Sequence, residues 1–217
     1  MGRIEFNAYV LVVRGFKILP FLDGLSTNHV RGPCTSVFTD KNAKIIDVCE
    51  ILVIPHAVVL VGYAPHKDAL VQHLLSRILG RDINITDISH LNRVYIETSD
   101  EEIEEFASYQ QGFFGRICVS PVSNPLEITM NVAEWNEYRI EHSIPFYGTE
   151  ITQNRHPFAC GLESLVHQQK GCYIGQEILT RMRSRNRQGH HMIIQDNPCD
   201  NVTTLGALRS ICIVRDQ

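Results

Sequence analysis

Apolar and polar positions divide the chain into short elements. Residues 10–13, 35–38, 45–54 and 58–63 are rich in β-branched side chains and separated by Gly, Pro, Asp and Asn, which predicts strands. Between the first two, Phe16, Leu19, Leu22 and Leu25 recur at helical spacing until Gly24 and the Ser26-Thr27-Asn28 cluster end the pattern, so residues 16–25 read as one short helix. In residues 66–79, Leu70, Leu74 and Ile78 fall four apart with Val71, Leu75 and Leu79 beside them. That spacing predicts an amphipathic helix stopped by Gly80.

A strand is predicted over 93–97, and Ser99 stands three residues before Glu102 as in a capping box, which gives the acidic run 100–105 a structural role at a helix start. Residues 116–119 and 126–130 read as strands, 133–142 as a helix closed by Pro145, and 178–182 as helical. The tail from Gly189 holds two apolar runs, 191–194 and 211–214, around a polar loop, and is too short to bury a core alone. This order predicts α+β layers with mostly antiparallel sheets. We read two α+β halves, about 1–98 and 99–188, followed by a short β segment, 189–217.

Composition narrows the function classes. The chain has 217 residues, 44% hydrophobic and 20% charged, with 20 basic against 24 acidic side chains and a net charge of −4. A general nucleic-acid binder carries a basic excess, so any such contact must be local. The basic cluster is Arg181, Arg183, Arg185 and Arg187. In an extended segment these would share one face suited to a polyglutamyl tail or a phosphate backbone, and in a helix they would diverge. No apolar run approaches the roughly 20 residues that span a bilayer. The N-terminal residues lack a secretory apolar core, and Phe6 stands where a myristoylation signal wants Ser or Thr, so the expectation is a cytoplasmic protein without membrane contact. Seven cysteines with no C-x-x-C pair support neither a disulfide scaffold nor a dedicated zinc site. The ten histidines show no ligand spacing with acids or thiols and read as structural or surface groups, with no metal expected.

The segment with the most chemical content is Lys170-Gly171-Cys172-Tyr173-Ile174-Gly175-Gln176-Glu177. Its glycines permit a tight backbone before a helix start, and a helix N-terminus with a nearby Lys stabilises an anion. Cys172 is then a candidate nucleophile, redox centre or soft-metal ligand, against the simpler reading of a small buried hydrophobe.

This octapeptide resembles the signature of the YgfZ-type folate-binding proteins, relatives of the glycine cleavage aminomethyltransferase (T-protein). Phe21-Leu22-Asp23-Gly24-Leu25-Ser26-Thr27-Asn28 resembles the family's F-L-x-G-L-x-T-N segment, and residues 39–47 resemble its T-P-x-G-x-I-x-D strand. Tyr138-Arg139-Ile140-Glu141-His142-Ser143-Ile144-Pro145 with Tyr147-Gly148 resembles R-I-E-x-G-I-P-x-x-G, and Pro157 with Gly161-Leu162-Glu163 resembles P-x-x-x-G-L-E. The resemblance spans residues 9 to 190 and implies an aminomethyltransferase-type folate-binding fold whose C-terminal β-barrel is largely missing. It also implies tetrahydrofolate as cofactor, and a role in iron–sulfur cluster assembly or repair that affects tRNA-modifying and other cluster enzymes. Iron–sulfur enzymes or assembly proteins are the implied partners.

By the same resemblance Cys172 marks the YgfZ branch, Asp47 falls where the T-protein strand carries its acids, and Arg139 takes the place of a binding arginine. Trp135, four residues earlier on the predicted helix, would add a stacking ring. A folate site needs acceptors for the pterin edge, apolar or aromatic walls and cations for the glutamyl tail. Glu141, Lys170, Tyr147, Phe113 and Asn28 complete that candidate set. Five positions depart from the T-protein pattern. Val48 replaces the second of two adjacent acids, Phe113-Phe114 interrupts a Gly-Glu-Asp-Gly turn, His29 replaces an Asp, and Ala43 a Gly. The acids lost here are the ones an aminomethyl transferase would use. An accessory folate-binding protein is therefore the first reading, with a transferase using Asp47, or a ligand-free scaffold, as alternatives.

Overall fold

The β-branched runs of the first hundred residues pair into antiparallel sheets in a computed structural model that describes residues 1–99, 104–185 and 189–216. The strands are β1 (Arg3–Phe6), β2 (Ala8–Gly15), β3 (Cys34–Thr39), β4 (Ile45–Ile54), β5 (Ala57–Tyr63), β6 (Ile83–Asp87), β7 (Asn92–Glu97), β8 (Ser108–Gln111), β9 (Arg116–Pro121), β10 (His190–Asp196), β11 (Val202–Leu205) and β12 (Arg209–Arg215). The helices are α1 (Ile18–Asp23), α2 (Lys67–Ile78), α3 (Val132–His142) and α4 (Gln176–Ser184). A five-stranded sheet runs β3-β4-β5-β2-β6, a four-stranded sheet β1-β7-β9-β8, and a three-stranded sheet β10-β12-β11.

Alternation along β2, β4 and β5 gives the five-stranded sheet two apolar faces. Leu11, Val13, Ile51, Val58 and Leu60 pack under α1 and α2, through Leu22, Leu70 and Leu74. Val10, Val12, Val48, Val59 and Val61 face the other way, where Val94, Ile96 and Ile117 of the four-stranded sheet close a second core. A sheet buried on both faces reads as continuous apolar runs, which is how β4 and β5 look in the sequence. Gly62 lets β5 pass close to the Tyr9 hydroxyl and the Asp47 carboxylate, both of which a Cβ there would strike. Gly62→Ala is expected to lower stability by about 1–3 kcal/mol through overpacking, read as a fall in the urea midpoint.

The α+β expectation holds, with several local corrections. Residues 126–130 form no ladder; the Thr129 and Met130 amides both donate to the Arg3 carbonyl. β1, β6, β8 and β11 are not legible as strands, and β11 falls in what reads as the polar loop of the tail. The proposed capping box runs into residues 100–103, outside the described residues. A boundary at 98/99 cuts through one sheet, because β7 from the first half pairs with β1 on one side and with β9 from the second half on the other. Within the proposed 189–217 segment, residues 190–215 form the three-stranded sheet, which rests on α3 and on the single turn Pro157–Cys160. No described helix is long and apolar enough to cross a membrane.

Candidate functional site

The two-residue period of β4 decides which of its polar groups face which core. Asp47 and Cys49 point to the helix-covered face, Val48 and Glu50 to the space between the sheets. Asp47 is fully buried: Tyr9 donates its hydroxyl to Oδ2 at 2.6 Å, and His66 Nδ1 lies 3.0 Å from Oδ1. Cys49 Sγ approaches the same Tyr9 oxygen at 3.0 Å. Burial pushes the Asp47 carboxyl up, against the hydrogen bond and charge of His66. Burial, then the Asp47 charge, pushes both Tyr9 and Cys49 well up. The carboxylate offered by the sequence as catalytic is thus enclosed among its own partners, while the side chain facing the inter-sheet space is Val48, which moves no proton.

That space holds an acid the sequence reading passed over. Glu50, 1% exposed, accepts from the Thr35 hydroxyl at 2.6 Å and from the Phe113 amide at 3.2 Å. Gly112 lies so close that a Cβ would strike the carboxylate. Burial raises the Glu50 pKa to about 7, more than the Thr35 and Phe113 hydrogen bonds lower it. A buried carboxyl poised near neutrality marks a candidate site. Phe113 is half-buried, its ring edge-on to Phe114 at 5.2 Å. Phe114 lies 5.2 Å from Tyr147, whose hydroxyl donates to the Val48 carbonyl. Phe6, Tyr63 and Phe146 pack around Tyr147 with centroids 5.1 to 5.4 Å away. The signal available in the sequence was a single Glu inside the apolar run 45–54.

Asn28 and Lys170 join this region from the outside. The Asn28 amide donates to the Thr35 carbonyl, and Lys170 Nζ donates to the carbonyls of Asp23, Ser26 and Asn28 at 2.6 to 2.7 Å. Lys170 therefore fastens the 170–177 segment to the 23–28 segment, and burial lowers its pKa. Gly175, at φ +85°, sits against Asp40 and Ala43, and the Thr39 hydroxyl donates to the Ile174 carbonyl. Between these anchors Cys172 is exposed. The Lys170 ammonium, expected beside that thiol, turns inward to the carbonyls instead.

Arg139 lies elsewhere. It is 2% exposed, and its guanidinium donates to Glu150 Oε2 at 2.9 Å, Asn136 Oδ1 at 2.9 Å, Thr204 Oγ1 at 2.8 Å and the Ile144 carbonyl at 3.3 Å. The cation lies over Phe146, while Trp135 stacks on Tyr138. Burial pushes the Glu150 carboxyl up, but the Thr203 hydroxyl, Arg139 and Thr204 hold it below the usual range. Arg139 is thus a packed link between α3 and β11 rather than a group presented to a ligand, a burial its partners 11 and 65 residues away imposed without a local signal. Glu141 is exposed on α3.

Arg181 and Arg183 lie in α4 and Arg185 at its C-cap, so these members of the arginine cluster diverge. Arg181 pairs with Glu177, Arg183 lies over Phe158 and donates to the Val166 carbonyl, and Arg185 caps the helix; Arg187 lies outside the described residues. Among the described residues no cluster of three or more His, Cys, Asp or Glu is placed to hold a metal ion.

The tetrahydrofolate candidates thus separate. Phe113, Tyr147, Asn28 and Lys170 are linked around Glu50, Arg139 belongs to a different cluster, and Glu141 is at the surface. In kind, Glu50 and Phe113 match the acceptor and the wall that a pterin edge requires, although Glu50 is buried as deeply as Arg139 and its oxygens already accept from Thr35 and Phe113. Arg139 does not supply the cation for the glutamyl tail.

No family model matches the chain, and no curated protein matches it. Among solved structures it is similar to the glycine cleavage system aminomethyltransferase T from Bartonella henselae, with a TM-score of 0.78 and 13% identity over 99% of this chain and 78% of that one. The chain has the fold of the aminomethyltransferase T proteins. At 13% identity that likeness establishes the fold.

Proposed function

We propose that this protein binds tetrahydrofolate and acts as an accessory in iron–sulfur cluster assembly or repair linked to tRNA modification, not as an aminomethyl transferase. The observation that carries the reading is Glu50, a buried carboxyl raised to about 7 that accepts from the main-chain amide of the half-buried Phe113, within an aminomethyltransferase fold. Glu50 is 1% exposed and its oxygens already accept from Thr35 and Phe113, so on this reading the 112–114 turn opens for the ligand; the carboxylate then accepts from the amino and ring N–H groups of a pterin, and Phe113 packs on its face. The resemblance of 170–177 to the YgfZ signature supplies the choice of branch, with the exposed Cys172 as its working thiol. Val48 in place of an acid speaks against transfer.

Calorimetric titration with tetrahydrofolate and 5-formyltetrahydrofolate at pH 7.5 tests the ligand. Saturable binding is expected for the wild type, weakened about tenfold, or about 1.4 kcal/mol, in Glu50→Gln. Cys172→Ala is expected to leave folate binding intact and to reduce cluster-enzyme activity in cells. No turnover is expected with a lipoyl-bound aminomethyl donor. A second reading, the ligand-free scaffold, draws on the rings of Phe6, Tyr63, Phe114, Phe146 and Tyr147 that pack into the inter-sheet space. A folded wild type that takes up neither folate would select it.

A further inference from the structure

The three-stranded sheet carries a pair of thiols that the folate reading does not use. Cys212 is buried in β12, the central strand, and Cys199 is half-buried in the loop between β10 and β11. Their sulfurs lie 3.5 Å apart. A disulfide bond is about 2.05 Å long, so the sulfurs need close by only about 1.5 Å. The approach is held by packing and hydrogen bonds: Ser210 donates its hydroxyl to Asn197 Oδ1 at 2.6 Å, and the Asn197 amide donates to the Gly206 carbonyl at 2.8 Å, which fixes the loop that carries Cys199 over β12. Burial and then the neighbouring Cys199 push the Cys212 thiol up, leaving the more accessible Cys199 as the group that reacts first.

We infer that Cys199 and Cys212 form a reversible thiol–disulfide site that closes the C-terminal sheet on itself. With oxidised glutathione as the disulfide oxidant, the Cys199 thiolate attacks one glutathione sulfur, breaking its S–S bond and releasing one glutathione. Cys212 Sγ then attacks Cys199 Sγ in the mixed disulfide and releases the second. One S–S bond forms in the chain and one breaks in the oxidant. Both thiol protons and both electrons end on the two glutathione molecules. The closed ring contains all of β11, including Thr204, which donates to Glu150 Oε1 and accepts from Arg139. Oxidation therefore staples the strand that covers the buried ion pair.

The full chain is equilibrated, folded, in buffers of increasing oxidised-to-reduced glutathione, quenched with acid, alkylated in denaturant and mapped without reduction. The expected result is a peptide linking Cys199 to Cys212, loss of two alkylatable thiols, and recovery of both with dithiothreitol. Cys199→Ser is expected to abolish the linked peptide and Cys172→Ser to leave it unchanged. The site is overturned if the folded wild type gives glutathione adducts without the linked peptide, or if the link forms only in denaturant. The wild-type map decides even if Cys199→Ser fails to fold.

Discussion

Replacing Arg139 with alanine is expected to lower folding stability by about 3–5 kcal/mol, one of the two largest effects foreseen here. Its guanidinium is buried and donates to Glu150, Asn136, Thr204 and the Ile144 carbonyl. Without it Glu150, itself fully buried, keeps a charge whose remaining support is the hydroxyls of Thr203, Thr204 and Thr149 and the Phe146 amide. Urea unfolding at pH 7 measures the loss. A double-mutant cycle with Glu150→Gln separates the pair from its surroundings, and a strongly favourable coupling is expected. Because the Glu150 carboxyl sits below its ordinary range when folded, its contribution is present above the unfolded carboxylate pKa and disappears as pH falls through the folded one. A loss below 1 kcal/mol in Arg139→Ala would mean that water or another cation reaches Glu150.

Glu50 acts in the opposite sense. Its folded pKa, about 7, lies above that of an unfolded glutamate. Between the unfolded carboxylate range and pH 7 the native state keeps a proton that the unfolded chain has released, so stability falls as pH rises through this window and levels off above pH 7. The cost at pH 8 is about 3 kcal/mol. Glu50→Gln is therefore expected to raise stability at pH 8 by about that amount, to be close to neutral at pH 4, and to flatten the intervening slope. Parallel urea melts of the two proteins from pH 4 to 8 check this, and equal slopes would contradict it. Natural sequences keep a destabilising carboxyl mainly where activity requires one, which is why the same substitution is expected to improve the fold and weaken the ligand.

Much of the fold was legible because two-face burial writes long β-branched runs into β2, β4 and β5, and a four-residue apolar spacing into α2. Short or polar strands were not. Ser108–Gln111 has no aliphatic side chain and exists as a strand only through its pairing with β9. Residues 126–130 carry apolar side chains without a neighbouring strand to complete a ladder. For the site, motif spacing located Lys170 and Cys172, but the inward turn of Lys170 depends on carbonyls more than 140 residues away. The parity of β4 assigns Asp47 and Val48 to opposite faces, and that parity becomes informative only once the contents of each face are known.

The pairing of the chain's first strand fixes an order of events during synthesis. Arg3 meets Glu97 across the β1–β7 ladder in a buried ion pair at 3.0 Å, 94 residues apart in the chain. A nascent polypeptide leaving the ribosome must carry β1 unpaired until β7 emerges, whereas the β4–β5 hairpin forms from neighbouring residues as soon as both arms are free. The β3-β4-β5 part of the five-stranded sheet can therefore assemble first. Docking of the N-terminal strand belongs to a late, slow step in which a long loop closes, and until then β7 presents an open edge on which a chaperone or another chain can act.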